Sequence, residues 1–96
     1  MYEITEIQDV SKVRCKRLVA HVRINTNDKP VVKTVIAEAT QNIKNKHSAN
    51  VVWLYIHKDS KMLCRTLWVD KELKDIPLPK PLEYNDWQDD IGIVWL

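Results

Sequence analysis

The sequence predicts a small α+β domain in which one main helix packs on one face of a mainly antiparallel sheet. Three observations support this prediction. Runs of alternating apolar residues occur in several places, one segment has apolar residues at helical spacing, and 96 residues suffice for a single modest core. The predicted order is β-β-α-β-β plus a C-terminal strand, in a single domain spanning residues 1–96.

Two strands are predicted before the helix. Residues 2–8 alternate weakly, whereas residues 14–25 (RCKRLVAHVRIN) alternate well. Successive side chains of a strand point to opposite faces. The second strand therefore has an aliphatic face of Leu18, Ala20, Val22 and Ile24, and an opposite face of Arg17, Val19, His21 and Arg23.

The helix is predicted from about Pro30 to Lys46. Asn27 or Asp28 is placed to cap its first turn, where Pro30 is also well suited. Its apolar stripe consists of Val31, Val32, Val35, Ile36, Ala39 and Ile43. Because β-branched residues lower helix propensity, we expect packing on the sheet to stabilise this helix.

A β-hairpin is predicted over residues 51–69 (VVWLYIHKDSKMLCRTLWV). Without a glycine for a bulged loop, the turn is predicted at residues 58–61, with His57 opposite Met62. Strict alternation then turns one set of side chains toward the helix: Val52, Leu54, Ile56, Leu63, Leu67 and Val69. Arg65 falls in this set, where it would reach the sheet edge or pair with an acid such as Glu38. The other set points away from the helix: Trp53, Tyr55, His57, Met62, Cys64, Thr66 and Trp68.

The C-terminal segment, residues 82–96, is tethered by Pro77, Pro79 and Pro81, which impose an extended path. We expect it to pack on the sheet or its edge, with residues 91–96 as a strand. Charges in this chain are uneven, since residues 12–33 contain seven basic residues and one acid, whereas residues 83–90 contain four acids and no base. One interpretation is that the segments lie against each other, with Asp86, Asp89 and Asp90 meeting Arg17 and Arg23. In that arrangement Trp87, Ile91, Ile93 and Trp95 would cover the face opposite the helix.

Composition excludes several classes of protein. The apolar content of 45% argues against disorder, and no apolar run approaches the roughly 20 residues that span a bilayer. The first residues do not resemble a secretory signal, so we expect a cytoplasmic protein with reduced cysteines. His57 and Cys64 lack paired metal-ligand spacing and an oxyanion hole. The sequence therefore predicts neither an enzyme, nor a metal site, nor a bound cofactor.

The predicted aromatic face needs a partner or a cover. The first hypothesis is a non-catalytic module for protein–protein interaction or self-association, because Trp, Tyr, Met and Arg are enriched at interface cores. A second is a single-stranded nucleic-acid-binding domain, in which rings stack on bases and arginines neutralise phosphates. A third is a structural accessory domain whose face is covered by its own C-terminal segment. The candidate binding residues are Arg17, His21, Arg23, Trp53, Tyr55, His57 and Trp68.

Overall fold

Six strands and one helix form the described part of the chain, residues 2–72 and 84–96 of a computed structural model. In chain order they are β1 (Tyr2–Asp9), β2 (Arg17–Ile24), α1 (Lys29–His47), β3 (Val51–Lys58), β4 (Lys61–Val69), β5 (Asp86–Gln88) and β6 (Ile91–Trp95). The strands form one sheet in the order β1-β2-β3-β4-β6-β5. Only β2 and β3, which α1 connects, run parallel. The predicted α+β fold is confirmed.

Helix α1 packs its apolar stripe on the sheet as predicted. The stripe and the aliphatic side chains of β2 and β3 form the main core, which comprises Val32, Val35, Ile36, Ala39 and Ile43 with Leu18, Ala20, Val22, Ile24, Val52, Leu54 and Ile56. Val31 is the exception, since its side chain is 44% exposed. Burial of these β-branched and aliphatic side chains stabilises the helix and compensates for its low intrinsic propensity.

The helix ends differ from the prediction at one point. Asp28 occupies the N-cap position, but its side chain makes no capping hydrogen bond. Its own backbone N–H donates instead to the Thr26 hydroxyl, at 3.1 Å. At the other end Ser48 adopts a left-handed conformation, with φ 51° and ψ 45°. This residue turns the chain so that the Ala49 N–H donates to the Lys44 carbonyl, and strand β3 can begin.

The β3–β4 hairpin has the predicted turn but not the predicted faces. Lys58 pairs with Lys61 and His57 with Met62, as expected. The next pair is Ile56 with Cys64, so Leu63 is an extra residue on β4. Such a β-bulge inverts the alternation beyond it.

The expected orientation of the rest of β4 is therefore wrong. Cys64, Thr66 and Trp68 point toward α1, whereas Arg65, Leu67 and Val69 point away from it.

The C-terminal hairpin extends the sheet beside β4. Strand β6 was expected within residues 91–96, whereas the short strand β5 was not predicted. Ile91 and Ile93 join the main core under α1. The expectation that they would cover the opposite face is therefore wrong. The prolines of the predicted tether lie in residues 73–83, outside the described residues.

The acidic residues of this hairpin meet partners other than Arg17 and Arg23. The Asp86 carboxylate pairs with Lys33 of α1 at 3.3 Å and accepts the Trp95 indole N–H at 2.8 Å. These bonds lower the pKa of Asp86, the indole bond being the largest cause.

Within residues 2–72 and 84–96, no helix combines the length and apolarity that crossing a membrane requires.

Candidate binding face

The sheet face opposite α1, called here the far face, carries most of the predicted binding residues. Strand register arranges its side chains in rows, because directly paired residues share a face. The row at its centre, called the central row, runs across five strands and consists of Glu6, His21, Tyr55, Arg65 and Val94. A polar and aromatic band thus crosses the middle of the sheet.

One end of the far face is covered by a second, smaller core. Val51 is fully buried there, and Cys15 and Leu67 are only 4% and 6% exposed. Trp53, Val69 and Tyr84 pack against them as half-buried side chains. The Tyr84 ring lies directly over Gly92, where an added Cβ would come within 2.6 Å of Tyr84 Cδ1. The lone glycine therefore allows a close approach of this ring to the backbone of β6.

At the margin of this small core, Arg17 lies over Trp53. Its guanidinium carbon is 5.6 Å from the centre of the indole ring, which is cation–π range. Its Nε donates to the Val10 carbonyl at 3.1 Å and so fixes the direction of the side chain. The Arg17 guanidinium thus contacts the Trp53 ring, which remains half-buried.

Beside it, His21 and His57 form a direct contact between β2 and β3. The distance from His21 Nδ1 to His57 Nε2 is 3.0 Å, the length of a hydrogen bond whose direction depends on the tautomer. The ring centroids are 5.3 Å apart with planes tilted by 17°, so the facing nitrogens join the rings edge to edge. The Tyr55 ring also neighbours His21, with ring centroids 5.2 Å apart and planes tilted by 24°. Burial lowers the pKa of His57, and the nearby His21 charge lowers it further.

Arg65 is the least satisfied charged group of the far face. Its side chain is half-buried, and its Nε is shielded from solvent and lacks a hydrogen-bond partner. The ion pairs of the described residues join Lys16 to Asp9, Arg23 to Glu3 and Lys33 to Asp86, none of which involves Arg65. A guanidinium in this setting is electrostatically uncompensated.

Of the predicted site residues, the structure brings six together on the far face: Arg17, His21, Arg23, Trp53, Tyr55 and His57. Trp68 lies on the other face. It is 5% exposed, donates its indole N–H to Asp90 at 3.0 Å, and has the Lys44 ammonium 4.5 Å above its ring. The expectation that Trp68 shares a surface with Trp53 is wrong. The Leu63 bulge inverts the alternation of side chains along β4, so Trp68 points to the opposite face.

Sequence reasoning missed Glu6 and Arg65 as residues of this face. Arg65 was assigned to the helix side by strict alternation, and Glu6 lies beyond a second irregularity, between Ile4 and Glu6 of β1. The charge of Arg65 was the feature of the sequence that could have revealed its position on the far face. A cation in a row of aliphatic side chains beside a buried helix contradicts the assumed register.

The inverted alternation of β4 also places Cys64 and His57, the pair considered as nucleophile and base, on opposite faces of the sheet. Cys64 is fully buried under α1, and burial raises its thiol pKa to about 12. His57 lies on the far face, so these two side chains do not form a nucleophile and base. Among the described residues, no group of three or more His, Cys, Asp or Glu side chains is arranged to hold a metal ion.

Comparison of the chain with models of protein families, with curated protein sequences and with solved structures finds no match.

Proposed function

We propose that the protein is a non-catalytic protein–protein interaction module that binds through the part of the far face outside the small core. The observation that carries the proposal is the set of half-buried rings on two adjacent central strands, comprising His21 on β2 with Trp53, Tyr55 and His57 on β3. These rings are held side by side before any partner arrives. Cytoplasmic residence is part of the proposal, supported by two free cysteines in different cores.

Rigid rings on a sheet make an efficient contact surface. Binding costs side-chain entropy, and rings already fixed by neighbours lose little of it. Here the Arg17 guanidinium lies over Trp53, and the nitrogen-to-nitrogen contact fixes His21 and His57. Aromatic and Arg side chains are also the types that dominate measured binding energies at interfaces. The non-catalytic part of the proposal is supported by the inaccessible, weakly acidic thiol of Cys64.

Site-specific photo-crosslinking tests this proposal. A photoreactive phenylalanine analogue replaces Tyr55 in the protein produced in its own cells. The matched control places it at Val31, which is 44% exposed on the outer side of α1. We expect one discrete protein adduct from position 55, lost when His21→Asp alters the surface, and none from position 31. No adduct at position 55, or the same diffuse adducts from both positions, contradicts the proposal.

A second candidate function is binding of single-stranded nucleic acid, which the Arg17–Trp53 contact favours. A base stacking on Trp53 would lie beside a guanidinium able to meet its phosphate. Titration with an unlabelled oligonucleotide at low salt should then quench tryptophan fluorescence, and the effect should weaken steeply as salt rises. Trp53→Phe should lose most of the quenching and Trp87→Phe, 53% exposed at the sheet edge, little of it. Absence of quenching at low salt removes this candidate.

A further inference from the structure

Among residues 2–72 and 84–96, no carboxylate forms an ion pair with Arg65. Of the chain's other arginines, Arg23 pairs with Glu3, Arg17 lies over Trp53, and Arg14 is exposed to water. Arg65 is half-buried between its cross-strand neighbours Tyr55 and Val94. A charge in such surroundings binds an oppositely charged group more strongly than an exposed charge does.

The central row has an acid at its other end. Glu6 of β1 is exposed, and its carboxylate accepts one hydrogen bond, from the neutral Gln8 amide at 2.9 Å. Three strand spacings separate β1 from β4, about 14 Å in all, so Glu6 and Arg65 cannot meet within one chain. The four residues of the row from β1 to β4 therefore have negative charge at one end and positive charge at the other, with His21 and Tyr55 between them.

This order is complementary to itself under two-fold rotation. An axis that lies between the two sheets, parallel to the strands and midway between His21 and Tyr55, exchanges Glu6 with Arg65, and Val94 lies beyond this paired stretch. We infer that a second copy of the chain packs face to face on the far face, with Glu6 of each copy paired to Arg65 of the other. The inference rests on the proposed function and names the partner. His21 of one copy then faces Tyr55 of the other, as an isologous interface requires.

The neighbouring row fits the same arrangement. It contains Gln8, Val19, Trp53 and Leu67, and the rotation places the half-buried Val19 of one copy opposite the half-buried Trp53 of the other. Leu67 stays buried in the small core of its own chain. On the other side of the central row, the charge of Arg23 is already compensated by Glu3. Two twisted sheets pack in this way at a separation of about 10 Å. The interface would combine an apolar part with two desolvated ion pairs.

Charge reversal tests the pairing. Sedimentation equilibrium gives the dimer dissociation constant for the wild type, for Glu6→Arg, for Arg65→Glu and for the double variant. We expect a wild-type dimer, weakening by about tenfold or more in each single variant, and recovery in the double variant. Lys46→Glu, an exposed reversal on α1, serves as the control and should leave the constant unchanged. Circular dichroism checks that each variant is folded.

The outcomes separate the inference from the function on which it rests. A wild-type monomer at millimolar concentration overturns the inference, whereas a crosslink from position 55 to a different protein would still support the proposed function. A dimer that both single reversals leave intact but Tyr55→Asp splits overturns the Glu6–Arg65 pairing and retains the far face as a contact surface. Failure of the double variant to recover, with its fold intact, also overturns the pairing.

Discussion

At the residue scale, Trp53 and Trp68 show how strongly position decides the role of one side-chain type. Trp53 is half-buried on the far face, against Arg17. Trp68 is 5% exposed under α1, and its indole N–H is bonded to Asp90. Sequence reasoning placed both on one surface. Trp68 is therefore part of the core, whereas Trp53 stays a candidate binding residue.

Replacing Trp68 by Ala should therefore lower the free energy of unfolding by about 3–5 kcal/mol, because it leaves a cavity and an unpaired Asp90. Trp87→Ala is the matched comparison. Its ring is 53% exposed and touches Tyr84 edge-on, so the loss should be about 1 kcal/mol or less. Urea denaturation measures both values. Similar losses for the two variants would show that the assigned orientation of β4 is wrong.

His57 should make stability depend on pH. Its pKa in the folded protein lies below the ordinary histidine value of 6.5, chiefly because of burial. As pH falls through 6.5, the unfolded chain takes up a proton first, so the free energy of unfolding decreases until the folded pKa is passed. Urea midpoints between about pH 5 and 8 should show this loss in the wild type. In His57→Gln the loss should be smaller. A difference between wild type and variant that stays constant with pH would contradict this assignment.

Among the elements, the β3–β4 hairpin has a turn that its own residues predict and a bulge that they do not. The β3–β4 turn follows from the chain itself, since Asp59 accepts a left-handed φ of 55° and closes the loop. The Leu63 bulge does not follow from any residue type nearby. The apolar positions from Met62 to Val69 tolerate burial on either face, so the charge of Arg65 is the one local feature that argues against unbroken alternation.

The end of α1 offers a stabilising substitution. Ser48 has a φ of 51°, a conformation that is strained for a residue with a Cβ but not for glycine. Ser48→Gly should raise the free energy of unfolding by about 0.5–1 kcal/mol, which thermal denaturation detects. Ser60→Gly is the control, because the φ of Ser60 is not positive and glycine adds only unfolded-state entropy there. Equal effects of the two substitutions would count against a strained helix end.

At the scale of the whole molecule, the sheet is stabilised from both sides but unevenly. Helix α1 covers one face, whereas on the far face the small core around Val51 covers one end. The acidic C-terminal hairpin is joined to α1 through Lys33 and Asp86, which accounts for part of the uneven charge of the sequence. Within the described residues this cover stops short of the central row, whose side chains are half-buried or exposed.

Amide hydrogen exchange should be slow in the covered central strands and fast in the exposed edge strand. Strand β3 lies between β2 and β4 and has its aliphatic side chains fully buried, so its amides should exchange only on global unfolding. Strand β1 pairs on one side, and most of its residues are exposed. Its outward amides should exchange orders of magnitude faster, as measured by NMR. Slow exchange along β1 in dilute solution would contradict the description of β1 as an edge strand.

Local sequence patterns are enough to predict the fold class, the apolar stripe of α1, the faces of β2 and β3, and the hairpin turn. Each is specified by the spacing of residues a few positions apart, as in Leu18 to Ile24 or Val52 to Ile56. Six of the candidate site residues follow from the same alternation.

The orientation of β4, the contact between His21 and His57, and the lack of an ion pair at Arg65 among the described residues depend on long-range packing. The Leu63 bulge depends on how β4 pairs with β3 and on the burial of Trp68 against α1, which is a property of the assembled core. The central row depends on register across four or more strands. Such pairings join residues distant in the chain, so no local pattern in the sequence specifies them.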